Sequence, residues 1–214
     1  MKDLNTLVRG FRRFHRRFFE SDDLLYEKLC LRQTPKVLVV GCSDSRVDPA
    51  ILTDCKPGDL FVVRVVGNLI PPYEPDTKFH GVSSSIEYAV RFLNVEHIII
   101  LGHSSCSGIN LLMTENDEQE VESEFINSWM DIALPAKEIV QKEMVGKPFE
   151  IQCKVCEQAA MILSLENLMT FPWIAQRVDN DKLSLHAWYF ELETGDIHNY
   201  DTETCEFEIL KTTR

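Results

Sequence analysis

A chain of 214 residues, 44% hydrophobic and 26% charged, has the composition of a globular protein with one sizeable core. No apolar run approaches the ~18 residues that a membrane-spanning helix needs, so no membrane span is expected. A formal net charge of −12 argues against a nucleic-acid partner, because neutralising phosphates takes a basic surface, and points instead to small-molecule chemistry.

The charge is unevenly spread. Residues 1–20 hold six basic and two acidic side chains, a local +4 that leaves −16 on the remainder. Leu7, Phe11, Phe14 and Phe18 recur at helical spacing with arginines between them. This predicts an amphipathic helical arm over 1–30, packing on its own protein or on a second subunit. The stretch lacks both the continuous apolar segment of a secretory signal and the serine richness of a transit peptide, so a cytoplasmic location is expected. Seven cysteines, an odd number in a chain this long, read as reduced thiols or metal ligands and not as a disulfide framework.

Residues 31–214 are expected to form a single α/β domain. "KVLVV" (36–40), "LFVVRVV" (60–66) and "HIIIL" (97–101) are β-branched runs without polar alternation, the pattern of strands buried on both faces of a parallel sheet. Between the second and third, "GVSSSIEYAVRFLNV" starts with serine cap candidates and carries Ile86, Ala89, Val90, Phe92 and Leu93 on one broad helical face, which predicts a β-α-β crossover. The acidic run 114–124 reads as a solvated loop or helix start. Helices are predicted near 125–145 and 153–170, the second ending before Pro172. A final pair of strands, "LSLHAWYFEL" and "TCEFEIL", flanks the turn "ETGD". The fold class that follows is α/β: a mostly parallel central sheet flanked by helices, with an N-terminal helical arm.

In open parallel sheets ligands bind beyond the carboxyl ends of the strands. The strand at 36–40 delivers "GCSDSR", with Cys42, Asp44 and Arg46, and the strand at 97–101 delivers "GHSSCSG", with His103 and Cys106. If these strands are neighbours, two thiolates and an imidazole can meet in a tetrahedral arrangement suited to zinc, leaving the fourth position for water. From spacing alone, an inert core thiol is the commoner state of a cysteine after a buried strand. Cys153 and Cys156, a second C-x-x-C, fall inside a predicted helix and read as core residues. His80 and His97 read as surface or core residues rather than proton relays.

These two loops resemble the β-class carbonic anhydrases, whose pattern is C-x-D-x-R followed by H-x-x-C. "PGDLFVVRVVGNLIPPYE", "GVSSSIEYAV" and "CEQAAMILSLENLMTFPWI" are similar to that family in the same order, so the likeness spans roughly 33–200. The resemblance implies one Zn2+ per subunit on Cys42, His103 and Cys106. It implies the reversible hydration of carbon dioxide to bicarbonate, and self-association as a dimer or tetramer with the pocket lined from both subunits. Within the family the chain is similar to the plant-like branch, which implies a substrate pocket containing Gln33, Phe61, Val66 and Tyr88. The other branch carries a tryptophan where this chain has Val39, so an open site is expected and not one capped by Asp44. Asp44, held by Arg46, is expected to orient the attacking water, and Gln33 to donate to a substrate oxygen. Two thiolates cancel the charge of the metal, so better turnover is expected at mildly alkaline pH.

Two positions depart from the family pattern. Ser107 stands where glycine is usual; its backbone N–H remains beside substrate while its hydroxyl narrows the space. Val65 replaces an asparagine. These changes keep open a second reading, a zinc hydrolase of carbon disulfide or carbonyl sulfide. A third, a non-catalytic zinc-binding or redox-sensing protein, requires a closed site with Asp44 or Cys55 as fourth ligand.

Overall fold

The computed structural model describes residues 3–21, 24–76, 78–114 and 123–210. Most of the predicted acidic loop, 115–122, lies outside them. The chain divides into two units, Met1–Thr34 and Pro35–Arg214.

In the first unit, helix α1 (Leu4–Phe19) is capped by Asp3, whose carboxylate accepts from the Thr6 N–H at 2.9 Å. A short helix α2 (Leu25–Leu29) places Tyr26 against Phe14, Phe18 and Phe19, with ring centroids 4.7–5.7 Å away. This aromatic cluster covers only one end of the predicted apolar stripe. Phe18 is buried, whereas Leu7 and Phe11 are exposed.

The second unit is built on a six-stranded sheet in the order β2-β1-β3-β4-β5-β6. Its strands are β1 (Val37–Cys42), β2 (Leu60–Val65), β3 (His97–His103), β4 (Ser184–Phe190), β5 (Ile197–Asp201) and β6 (Glu206–Ile209). The first four are parallel and the last two extend the sheet antiparallel. The chain leaves β1 to form β2 on one side and returns to form β3 on the other. The sheet therefore reverses direction at β1 and opens a crevice beyond the carboxyl ends of β1 and β3.

Both faces of β1 and β3 are covered, as their unalternating apolar runs require, whereas β2 at the edge of the sheet alternates and leaves Val62 exposed, contrary to the expectation for 60–66. Leu38, Val40, Ile98, Ile100 and Tyr189 share one core cluster with Ile86, Met161, Leu168 and Ile174 of the surrounding helices. Val39, Ile99 and Leu101 form another with Val47. The helices are α3 (Pro49–Leu52), α4 (Gly81–Glu87), α5 (Ser107–Met113), α6 (Ile126–Met130), α7 (Leu134–Glu143), α8 (Phe149–Met169) and α9 (Pro172–Asp179). After α4 the backbone widens into a π-turn at Tyr88–Phe92, where Leu93 N–H donates to Tyr88 O at 3.0 Å.

Two predicted elements are corrected. The helix expected over 125–145 is broken into α6, a 3-10 turn (Asp131–Ala133) and α7, because Pro135 lacks an N–H and is tolerated only in a first helical turn. The final pair of strands is three: "ETGD" turns β4 into β5, and "TCEFEIL" supplies β6. β5 carries His198 and Asn199, poor strand formers, and is retained by pairing on both sides and by Tyr200 packing against Phe207.

Candidate metal centre

β1 and β3 lie side by side, with Gly41 level with Leu101. Cys42 closes β1 and His103 closes β3. Cys106 follows after a turn in which Ser105 adopts a left-handed backbone, φ 56°. The Sγ atoms of Cys42 and Cys106 are 3.9 Å apart, and with a His103 ring nitrogen they form a cluster whose atoms all lie within 4.8 Å of one another. All three residues are buried. Among the described residues no other group of metal-ligating side chains converges in this way.

The proton positions suit a metal. His103 Nδ1 donates to the Ser104 carbonyl oxygen at 2.9 Å, which leaves the Nε2 lone pair facing the thiols. That Nε2 is fully buried and has no hydrogen-bond partner. A buried polar nitrogen without a partner is costly, and a cation bound there removes the cost. Cys42 is pulled down to about 4, first by the hydrogen bond from Cys106 and against the opposing effect of burial. Cys106, which donates that bond and is itself buried, is pushed up. Burial works against a charged His103, yet Cys42, the Ser104 carbonyl and Asp44 together raise its pKa. Two thiols and one imidazole at this spacing, with one sulfur already disposed to ionise, fit a tetrahedral zinc ion.

Asp44 and Arg46 sit at the rim. Arg46 grips Asp44 in bidentate fashion, Nε to Oδ1 at 3.0 Å and Nη2 to Oδ2 at 2.7 Å, and the Arg46 N–H adds a third bond at 2.9 Å. The Asp44 carboxyl is held well below the usual carboxylate range, chiefly by Arg46. Its Oδ2 is 3.9 Å from His103 Nε2, so a carboxylate with both oxygens occupied by Arg46 borders the centre. Cys55, half-buried, is not part of the cluster.

The structure gives a role to Arg64, which directly precedes the Val65 that replaces the family's asparagine. Arg64 on β2 donates to the carbonyls of Cys42 (3.0 Å), Asp44 (2.6 Å) and Val47 (2.9 Å) and pairs with Asp48 at 3.1 Å. One side chain thus holds the end of β1 and two carbonyls of the loop that follows it. No local motif marks such a role, because three of its four partners are backbone carbonyls about twenty residues earlier.

The predicted pocket residues separate. Val66 packs in the same cluster as Cys42 and Cys106, and a Cβ on Gly108 would stand 2.8 Å from its Cγ1, so glycine is needed there. Val65 lies level with Cys42 and accepts the Ser43 N–H through its carbonyl. Ser107 opens α5, exposed, and lines a cavity of about 500 Å3 with Ser104, Asn110, Lys154 and Glu157. Phe61 is level with Leu38, four residues before Cys42 and roughly 13 Å along the strand, so it is not brought to the centre within this chain. It faces Tyr88 at 6.0 Å, and Tyr88 stacks on Phe92 at 5.6 Å in a partly exposed aromatic row. Gln33 belongs to the first unit, where it is exposed in an irregular stretch.

Cys153 and Cys156 are buried in α8 with thiols pushed up to about 11 and about 12 by burial, as core residues. His97 sits at the opposite end of β3 from His103, 3.3 Å from His186, and His80 pairs with Asp76 at 2.6 Å. No cysteine forms a disulfide. Among the described residues no helix is long and apolar enough to cross a membrane.

Residues 37–197 match the family model described as carbonic anhydrase. Beta carbonic anhydrase 3 of Arabidopsis thaliana is 37% identical over 198 residues, covering 91% of this chain and 76% of the relative. The solved β-carbonic anhydrase CcaA superposes with a TM-score of 0.90 at 33% identity, over 97% of this chain and 99% of that one. A tetrameric β-carbonic anhydrase of Sordaria macrospora shares the fold, with a TM-score of 0.79 at 24% identity over 91% of this chain and 94% of that one.

Proposed function

The chain belongs to the β-class carbonic anhydrase family, and from that premise we infer that it catalyses the zinc-dependent, reversible hydration of carbon dioxide to bicarbonate and a proton. The observation that carries this reading is the Cys42, His103 and Cys106 cluster at the switch point of the sheet, with His103 Nε2 buried and unpartnered.

Cys42, His103 and Cys106 would hold the zinc ion. When bound, zinc supplies a Lewis acid that makes water a nucleophile near neutral pH. Asp44 accepts a hydrogen bond from the reacting water and aims its lone pair at the carbon of carbon dioxide, and Arg46 keeps that carboxylate ionised and fixed. A carbon–oxygen bond forms, one proton leaves for solvent, and bicarbonate departs. Because both Asp44 oxygens are engaged by Arg46, the site is read as open and not closed by a fourth protein ligand. Val66 supplies an apolar wall, and the Ser107 N–H a donor to substrate.

Phe61 and Tyr88 take their roles in the pocket of a neighbouring copy. The distance of Phe61 from the centre along β2, its contact with Tyr88 and the exposure of Tyr88 support that arrangement, and with it a dimer or a larger even assembly. Gln33 is assigned as a donor to a substrate oxygen, on the family resemblance. A reducing compartment, the cytoplasm, suits a site whose two cysteines must be thiolates to bind metal.

The test is carbon dioxide hydration measured across pH with zinc content determined on the same samples. Activity is expected to rise in proportion to zinc, up to one ion per chain, and to be greater at mildly alkaline pH. Full zinc occupancy without hydration would overturn the reading.

A further inference from the structure

Glu157 lies in the middle of α8, 5% exposed, on a helix face otherwise occupied by Cys153, Cys156, Ala160 and Met161. A carboxyl at such a position is costly unless both oxygens are bonded. Both are: Oε1 accepts from the Cys106 N–H at 2.8 Å, and Oε2 from the Tyr189 hydroxyl at 2.7 Å. Tyr189, 1% exposed, is level with Gly102 in the β3–β4 register. The carboxyl thus joins α8 and β4 to the turn that carries two of the three cluster residues.

Two further features show why this contact matters to Cys106. Its N–H precedes the first turn of α5 and has no intrahelical acceptor, and its side chain makes no cap bond. The preceding Ser105 has a left-handed backbone, so the turn is held by what surrounds it. The approach of α8 is also permitted at one point only by glycine. A Cβ on Gly102 would overlap Met161 Sδ and stand 3.0 Å from its Cγ, and Glu157 is one helical turn before Met161.

We propose that Glu157 is a positioning residue for the metal centre. By accepting the Cys106 amide, braced by Tyr189, it keeps the Cys106 sulfur aimed at the ion and so sets how firmly the ion is retained. It does for Cys106 what the Ser104 carbonyl does for His103. The inference rests on the zinc site read above and adds a residue to it.

The experiment follows zinc leaving the full-length protein to a chromophoric chelator, for wild type and for Glu157→Met, Glu157→Gln and Tyr189→Phe. Methionine fills the space without an acceptor, whereas glutamine keeps a carbonyl for the Cys106 N–H. Glu157→Met is expected to lose zinc about tenfold faster or more, Glu157→Gln to stay within about threefold of wild type, and Tyr189→Phe to fall between. A cobalt-loaded Glu157→Met is expected to show an altered visible spectrum, with Glu157→Gln restoring it. Wild-type retention in Glu157→Met, or equal leakiness in Met and Gln variants, would overturn the proposal. Should Glu157→Met not fold, unchanged retention in Tyr189→Phe would overturn it. A wild-type protein that binds no zinc would overturn the zinc-site reading itself, and this inference with it.

Discussion

The Arg46 guanidinium donates to the Ser105 carbonyl oxygen at 2.9 Å while holding both carboxylate oxygens of Asp44. One side chain therefore ties the loop after β1 to the loop after β3, across 59 residues of sequence. Arg46 is half-exposed, so its ion pair is worth less to stability than to geometry. Arg46→Ala should cost less than ~1 kcal/mol in denaturant unfolding yet lower hydration activity by about tenfold or more, since Asp44 and Ser105 lose their common anchor. An activity near wild type would show that Asp44 needs no such anchor.

Asp44→Asn makes a narrower test. Asparagine fills the same volume and keeps one carbonyl for Arg46, but it can present an N–H where an acceptor is required. The variant should hold zinc with wild-type stoichiometry and lose most of its carbon dioxide hydration. Full activity with full zinc would remove Asp44 from the reaction.

The contact between Gly102 and Met161 predicts a packing effect. Met161 is fully buried, so a methyl group on Gly102 must displace a side chain that has little room to move. Gly102→Ala should destabilise the protein by about 1–3 kcal/mol in equilibrium unfolding. Combined with Met161→Ala, which by itself opens a cavity, the loss should be smaller than the sum of the two single losses, as expected of two residues that share one space. Strictly additive effects would contradict the contact.

Metal removal should be visible in stability as well as in rate. Without an ion, His103 Nε2 stays buried with no partner. A ligand that binds only the folded chain stabilises it by mass action, about 4 kcal/mol at a thousand times its dissociation constant. Chelated protein should melt at a lower temperature, and added zinc should restore the melt. Coincident melts with and without zinc would speak against the site.

His186 gives a pH dependence of defined sign. Burial, and secondarily the charge of His97, hold its pKa below the ordinary value of 6.5. Between that lowered value and 6.5 the unfolded chain binds more proton than the folded one, so this residue makes stability rise with pH through the window and fall on acidification. Zinc-free wild type and His186→Gln, unfolded in denaturant from pH 5 to 7.5, should differ in slope, with the variant flatter. Parallel slopes would place the imidazole in water.

Much of this protein was legible from local pattern. Runs such as "KVLVV" and "HIIIL" announce strands covered on both faces because the side-chain period of a strand is two and neither face here is polar. The pair Cys42 and Asp44, and the pair His103 and Cys106, are close in sequence, so spacing alone puts each on one loop. The placing of Cys153 and Cys156 in a core helix likewise follows from their neighbours.

What the tertiary structure decided are the relations between distant segments. Whether Cys42 and Cys106, 64 residues apart, share a site depended on β1 and β3 being neighbours, and strand order is a property of the packed sheet. The roles of Arg64 and Glu157 could not be found from sequence, because the contacts that tie them to the site are to backbone carbonyls and to a backbone amide, which carry no residue-type signal. Phe61 reads as a pocket residue, yet its register places it along the strand from the centre. β5 escaped the pattern because pairing, and not propensity, makes it a strand. Local chemistry follows from local sequence through backbone period and residue type; convergence follows from packing, which only the folded chain sets.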